Sequence, residues 1–266
     1  MRHSTEARAP LRGRAAAVRL SAVVLTAALG TVTPGAHADD AAWRDIESRI
    51  QYGYYTEDAR ALAALQDTVA GADAHDPLRD YYLGLLAYRQ ALLAFQSPLA
   101  GASAAGQVAS RCLAHLDAAL GSREDFAEAL ALKAACLLAP LTSASHAPLA
   151  AYHLHKDISR ALALAPANPR VLLIDALSDY QLSPAAGGNK ERALTKLRKA
   201  TAAFEAERRD TQRVPGWGAA EASVFLARDL LDHGDPVAAR DALERALVSA
   251  PEFVQARRLM AKITSG

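Results

Sequence analysis

The chain carries no CxxC, HExxH or GxSxG motif, and no acid pair stands in a recognisable catalytic spacing. Metalloprotease, α/β-hydrolase and dithiol chemistry therefore have no carrier in the sequence. Aromatic residues are only 6% of the composition, and β-branched runs are scarce. No segment alternates apolar and polar residues with period two for long enough to make a strand. Beyond the N-terminus, no apolar run approaches the roughly 20 residues that a membrane-spanning helix requires. These absences exclude β-rich folds and stable membrane insertion, and we read the chain as non-enzymatic and without a cofactor.

What is present begins at the N-terminus. Five arginines (Arg2, Arg8, Arg12, Arg14 and Arg19) precede the apolar run LSAVVLTAALGTV, and the small-x-small triplet Ala36-His37-Ala38 leads into two aspartates. Basic flank, short apolar core and small-residue site are the parts of a secretory signal peptide. Cleavage after Ala38 is expected, giving a periplasmic or secreted protein of 228 residues. Loss of the five arginines and Glu6 leaves 25 basic against 28 acidic residues, a formal charge of −3. That balance excludes a general nucleic-acid binder. Export also puts Cys112 and Cys136 in an oxidising compartment. They flank the turn Gly121–Asp125 at similar heights on antiparallel helices, so a disulfide or two buried thiols both fit.

Apolar spacing is helical almost everywhere, so the fold class is all-α. Trp43, Ile46 and Ile50 open one stripe, and Leu62, Leu65 and Val69 make another after Thr56, a candidate cap. Asp76-Pro77 caps a helix carrying Leu78, Tyr82, Leu85, Leu92 and Phe95. Further helices are expected over 103–120, 124–138, 147–164, 168–181, 189–206, 217–232, 236–249 and 252–263, separated by Pro and Gly.

ALALAPANPR (Ala161 to Arg170) and ALVSAPEFVQ (Ala246 to Gln255) share Ala-Leu, a proline four residues after the Leu, and a new helix. The pattern resembles the tetratricopeptide repeat (TPR), a helix–turn–helix unit of about 34 residues. Ala220 to Phe253 is the fullest match: Leu226-Ala227, Leu230, Gly234, Ala239, Leu243, Ala246-Leu247 and Pro251 stand at the motif positions, with Ser223 where the family has Trp. Ala193, Leu197, Ala200 and Phe204 repeat the small-large-small seam. The equivalent residues Ala119, Ala161, Ala200 and Ala246 lie 42, 39 and 46 apart, so several connections carry insertions. The resemblance implies an α-solenoid of stacked repeats over 103–266, preceded by atypical or capping repeats over 39–102. AAGGNKERAL with PGWG downstream also resembles a subgroup of exported bacterial TPR proteins without an established activity.

The stretch Gly187-Gly188-Asn189-Lys190 looks at first like a phosphate cradle. Glu191 follows the lysine where a P-loop needs Ser or Thr, and a helix rather than a strand precedes it. Turn glycines followed by an Asn cap explain each residue instead. His153 and His155 are two apart on a helix and point to different faces, so even with His146 nearby they make a poor metal set. Residues 189–213 hold eight basic residues against four acids, and Arg192, Lys196 and Lys199 share one face. A solvated helix face is the expected reading of that run. Six of eight tyrosines fall within 52–88, which suits helix packing or an exposed recognition surface.

The TPR resemblance implies a protein or peptide partner, held on the side presented by the first helix of each pair. In the pair starting at Pro169 that side carries Arg170, Leu173, Leu177, Tyr180 and Gln181, while Leu172, Ala176 and Asp179 face the packing side. In the last full pair it carries Glu221, Val224, Arg228, Leu231 and Asp232. The competing expectation is that insertions fill this side and these residues are core. The expected function is an exported, non-catalytic scaffold; the alternatives are a solute-binding accessory of a transporter that presents a small-molecule ligand, or a helical enzyme.

Overall fold

The computed structural model of the chain describes residues 35–96, 102–141, 148–207 and 214–265. They are mostly helical, and no strand occurs among the described residues, so the chain is all-α. The helices are α1 (Gly35–Tyr55), α2 (Ala59–Ala64), α3 (Gln66–Ala70), α4 (Pro77–Gln96), α5 (Ala102–Ser122) and α6 (Ala127–Leu141). They continue with α7 (Pro148–Leu164), α8 (Pro169–Gln181), α9 (Lys190–Glu207), α10 (Ala219–Asp232), α11 (Pro236–Ser249) and α12 (Val254–Ser265). From α5 onward each lies within a few residues of its expected span. The expected leader lies outside the described residues apart from Gly35–Ala38, and so do His146, Arg208, Arg209 and Arg213. No described helix is long and apolar enough to cross a membrane.

Capping residues set where the helices begin. Asp76 accepts from the Leu78 amide at 2.8 Å, and Asn168 from the amides of Arg170 and Val171, each just before a proline at the first helical position. The start of α2 differs from the expected cap. Asp58, not Thr56, accepts from the amides of Arg60 and Ala61, at 3.0 and 2.9 Å. Glu57 adopts a positive φ of 58°, so the chain reverses there and the first free amides arise two residues later. Thr56 instead donates back to the Tyr52 carbonyl at 2.8 Å.

The most extensive contacts join α4 to α5, α6 to α7, α8 to α9 and α10 to α11. Successive pairs meet between first helices, α4 with α6, α6 with α8 and α8 with α10. They also meet between the second helix of one pair and the first of the next, more extensively at α5–α6 and α9–α10. Small residues let the partners approach, and Ala193, Leu197, Ala200, Ala239, Leu243 and Ala246 are all fully buried. Each fully buried large apolar side chain contributes about 1.5–3 kcal/mol. Cys112 on α5 and Cys136 on α6 are joined by a disulfide, their Cα atoms 6.2 Å apart.

α1 stands outside this pairing. Its stripe Trp43, Ile46, Ile50 and Tyr54 is buried, and α1 packs on α2 and α4. Trp43 stacks on Tyr82 with ring centroids 5.1 Å apart and donates its indole N–H to Asp76 at 2.7 Å. At its other end Tyr55 lies 4.4 Å, ring to ring, from Phe253, just before α12. A helix from one end of the sequence thus rests against the other end.

Candidate functional site

Where α1, α4, α8 and α10 converge, one charged pair is taken out of water. Arg89 of α4 and Glu221 of α10 form an ion pair with side chains 2% and 4% exposed. The Glu221 carboxylate also accepts from Gln51 Nε2 at 3.0 Å and from the Tyr55 hydroxyl at 2.7 Å, both on α1. Arg89 Nε donates to Gln51 Oε1 at 3.1 Å. Its guanidinium sits among aromatic faces, 4.3 Å from the Tyr54 ring centroid and 5.2 Å from that of Trp217. Burial pushes the Tyr54, Tyr55 and Tyr88 phenols above their ordinary values, with the Glu221 charge adding to the rise at Tyr55. These hydroxyls stay protonated, and that of Tyr55 is a neutral donor to Glu221. The network satisfies itself, which is what a buried ion pair needs in order to persist.

Trp217 reaches this place from the connection before α10. Its indole N–H donates to the Tyr81 hydroxyl at 2.7 Å. Gly218, at φ 115°, permits the turn that follows, and a Cβ there would stand 2.7 Å from Phe204. Gly216 is tied to α1, its amide donating to the Glu47 carboxylate at 2.9 and 3.0 Å. Burial raises the Glu47 carboxyl above the usual range, although the Gly216 amide and the Tyr82 hydroxyl pull it the other way. The connection thus reaches α4 through Trp217, and α1 reaches α4 and α10.

Above the ion pair a cavity of about 340 Å³ remains. Its walls include Leu92 of α4, Leu173, Ile174 and Leu177 of α8, and Phe225 of α10; Trp217, Arg89 and Glu221 also line it. Tyr180, Gln181, Arg228 and Gln255 are also on its lining. The volume falls within the range of small-molecule sites.

Six of the ten expected groove residues line this one cavity: Leu173, Leu177, Tyr180, Gln181, Glu221 and Arg228. Arg170, Val224, Leu231 and Asp232 do not, and Asp232 instead bonds Tyr180 and Lys190. Arg170 is fully buried, and both its terminal nitrogens donate to Glu207 of α9, at 3.0 and 2.8 Å. Val224 is buried in the core at 1% exposure. Leu172, Ala176 and Asp179 are buried as well, and Asp179 meets Arg192 and Lys196 of α9. Of the cavity's other residues, Arg89 was missed by the sequence reading, although a signal for it was present. It continues the apolar spacing of Leu85 and Leu92 on α4, and a cation on a buried stripe needs a buried partner. Gln51 and Gln255 carry no comparable signal.

Elsewhere the side chains are engaged with the fold. In the Gly187–Lys190 turn, the amides of Gly187, Gly188 and Asn189 donate to the carbonyls of Pro184, Ser183 and Asp179, at 3.1, 3.0 and 2.9 Å. An anion would find those donors taken. A Cβ on Gly188 would lie 1.9 Å from the Leu182 carbonyl oxygen, so the close approach requires glycine. The Asn189 side chain accepts from the Arg192 amide at 2.8 Å, capping α9. His155 contacts the Ala186 carbonyl at 3.1 Å, whereas His153 lies edge-on to Tyr152. Among the described residues no three His, Cys, Asp or Glu side chains gather to hold a metal ion. Of the tyrosines within 52–88, only Tyr52 is exposed, at 59%.

No family model matches the chain, and no curated protein matches it.

Proposed function

We propose that this protein is an exported, non-catalytic scaffold of stacked TPR-like helix pairs, and that it captures a partner protein by a segment seated in the α4–α8–α10 cavity. The observation that carries this reading is the convergence of six expected groove residues on one aliphatic-walled cavity. The pairing of α4–α5, α6–α7, α8–α9 and α10–α11 supports the repeat reading. Export rests on the tripartite N-terminus, and a mature chain beginning at Asp39 is its consequence. Apolar anchors in such a cavity supply affinity, while polar groups at the rim fix orientation.

A second reading, solute binding, is favoured by one observation. Tyr54 of α1 and Trp217 line the cavity, and its volume of about 340 Å³ suits a small molecule rather than a long extended peptide. Site-specific photocrosslinking in the cell envelope separates the two. A benzophenone side chain at position 225, inside the cavity, should yield a discrete protein adduct. The same group at Val237, 73% exposed on α11, should not. Adducts from both positions alike would overturn the cavity as the capture site. A tightly retained small molecule, seen by native mass spectrometry in place of any adduct, would favour solute binding.

A further inference from the structure

The cavity has an aliphatic wall above the self-satisfied Arg89–Glu221 pair and cations at its lip, and this arrangement points to its occupant. Among its walls, Leu173, Ile174 and Leu177 offer aliphatic surface, and the Glu221 carboxylate behind them already accepts from Arg89, Gln51 and Tyr55. A polar group driven to that depth would give up water and meet an acceptor already engaged, so an apolar side chain is preferred there. At the lip, Arg228 Nη2 donates to Gln255 Oε1 at 3.0 Å, and Gln255 Nε2 donates to Gln96 Oε1 at 3.1 Å. The same three residues also line an adjoining groove of about 360 Å³, whose other walls are Arg258, Leu259 and Lys262 of α12. Anything leaving the cavity by this route passes three cations. The acid paired with one of them is Glu57, which bonds Arg258 at 2.8 Å.

We infer that the occupant is a partner-protein segment in which one aliphatic or aromatic residue is followed directly by acidic residues. The apolar residue fills the cavity, and the acids lie along the groove against Arg228, Arg258 and Lys262. This inference rests on the scaffold reading above, and commits it to the charge of the segment. Exposed charge pairs contribute modestly and are screened by salt, so the selectivity should be strongest at low ionic strength.

The test is fluorescence anisotropy with dye-labelled, C-terminally amidated peptides ending in Leu-Asp-Asp, Leu-Lys-Lys or Ser-Asp-Asp, using the full mature chain. The first should bind about tenfold more tightly than either of the others, the charge difference setting one gap and the apolar anchor the other. In the double variant Arg258→Gln/Lys262→Gln, both residues being exposed, the Leu-Asp-Asp peptide should bind about as weakly as the Leu-Lys-Lys peptide, with an unchanged thermal midpoint. Equal affinity for Leu-Asp-Asp and Leu-Lys-Lys, or indifference to the double variant, overturns the acidic-segment assignment and leaves the scaffold reading standing. Binding of hexanoate with no binding of any peptide overturns both.

Discussion

The Arg89–Glu221 pair joins α4 to α10 and the Lys190–Asp232 pair joins the consecutive helices α9 and α10, and the two differ in exposure. The side chains of the first are 2% and 4% exposed, and those of the second are each 49% exposed. Water at the second pair screens the attraction and is ready to replace either partner. Inside, neither charge has a substitute for the other. The geometry alone does not give the worth of an ion pair; the fate of the abandoned partner does. The same contrast separates a network that holds α1 against α10 from one that decorates the joint between α9 and α10.

The largest effect expected from breaking this contrast is at Glu221. Replacement by Gln keeps the shape and removes the countercharge of a guanidinium that has no access to water. Loss of one partner of a buried pair costs about 3–5 kcal/mol, which equilibrium urea unfolding would register as a lower midpoint. Adding Arg89→Met should recover much of that loss, because the stranded charge then disappears as well. A cost below about 1 kcal/mol for Glu221→Gln would mean that water reaches Arg89, and that the two pairs are alike.

Asp179 lies between the extremes, because its carboxylate is 3% exposed while its partners Arg192 and Lys196 are 51% and 28% exposed. Burial pushes this carboxyl up, but hydrogen bonds from Arg192 and Lys196 outweigh it and leave the carboxyl below its ordinary value. A depressed carboxyl stabilises the fold above the unfolded value of about 3.9, and that stabilisation disappears as pH falls through the folded value. Asp179→Asn should therefore cost about 1–2 kcal/mol at pH 7 and progressively less below pH 4. Urea midpoints across that interval would show the two curves converging. Glu47 has the opposite sign: its carboxyl is raised, so its ionisation weakens the fold as pH rises through the carboxylate range.

The contrast between interior and surface also marks how far the sequence can be read. Helical spacing, Pro and Gly connections and the Ala-Leu-Ala seams are local, and α8 to α11 begin and end close to where those signals put them. The register put Leu172, Ala176 and Asp179 of α8 inside, and they are buried. Leu173 and Leu177 of the opposite side are buried as well, so the helix packs on both sides as the competing expectation had it. The path of α1 was not legible. Gln51 meets Glu221 across 170 residues, and a glutamine in a helix gives no sign of which distant carboxylate it will donate to. Arg170 was misplaced for a related reason. Repeat register gave it the exposed side, but its guanidinium folds against Glu207 and leaves the cavity to its neighbours.

A smaller effect is expected at Asn189, where a side-chain cap is the main contribution to be lost. Asn189→Ala removes the acceptor for the Arg192 amide and should cost about 1 kcal/mol, read as a lower thermal midpoint. An unchanged midpoint would show water capping α9 as well as the asparagine does.

The smallest effect is expected at Lys190, one residue further on, and it tests the surface side of the contrast most directly. Its ammonium bonds Asp232 at 3.0 Å and lies 3.2 Å from the centre of the Tyr180 ring. An exposed ion pair contributes about 0.2–1 kcal/mol and an exposed cation–π contact about 0.5–1 kcal/mol, partly offset by the entropy of holding a long side chain still. Asp232 keeps a second donor when the lysine is gone, because the Tyr180 hydroxyl reaches it at 3.1 Å. Lys190→Ala should thus lower stability by less than about 1 kcal/mol at low ionic strength, and added salt should shrink the difference. A deficit that persists in 1 M salt would assign the contribution to the lysine methylenes covering the Tyr180 ring, a packing effect that salt does not screen. Loss of partner capture at unchanged stability would instead make Lys190 part of the recognition surface.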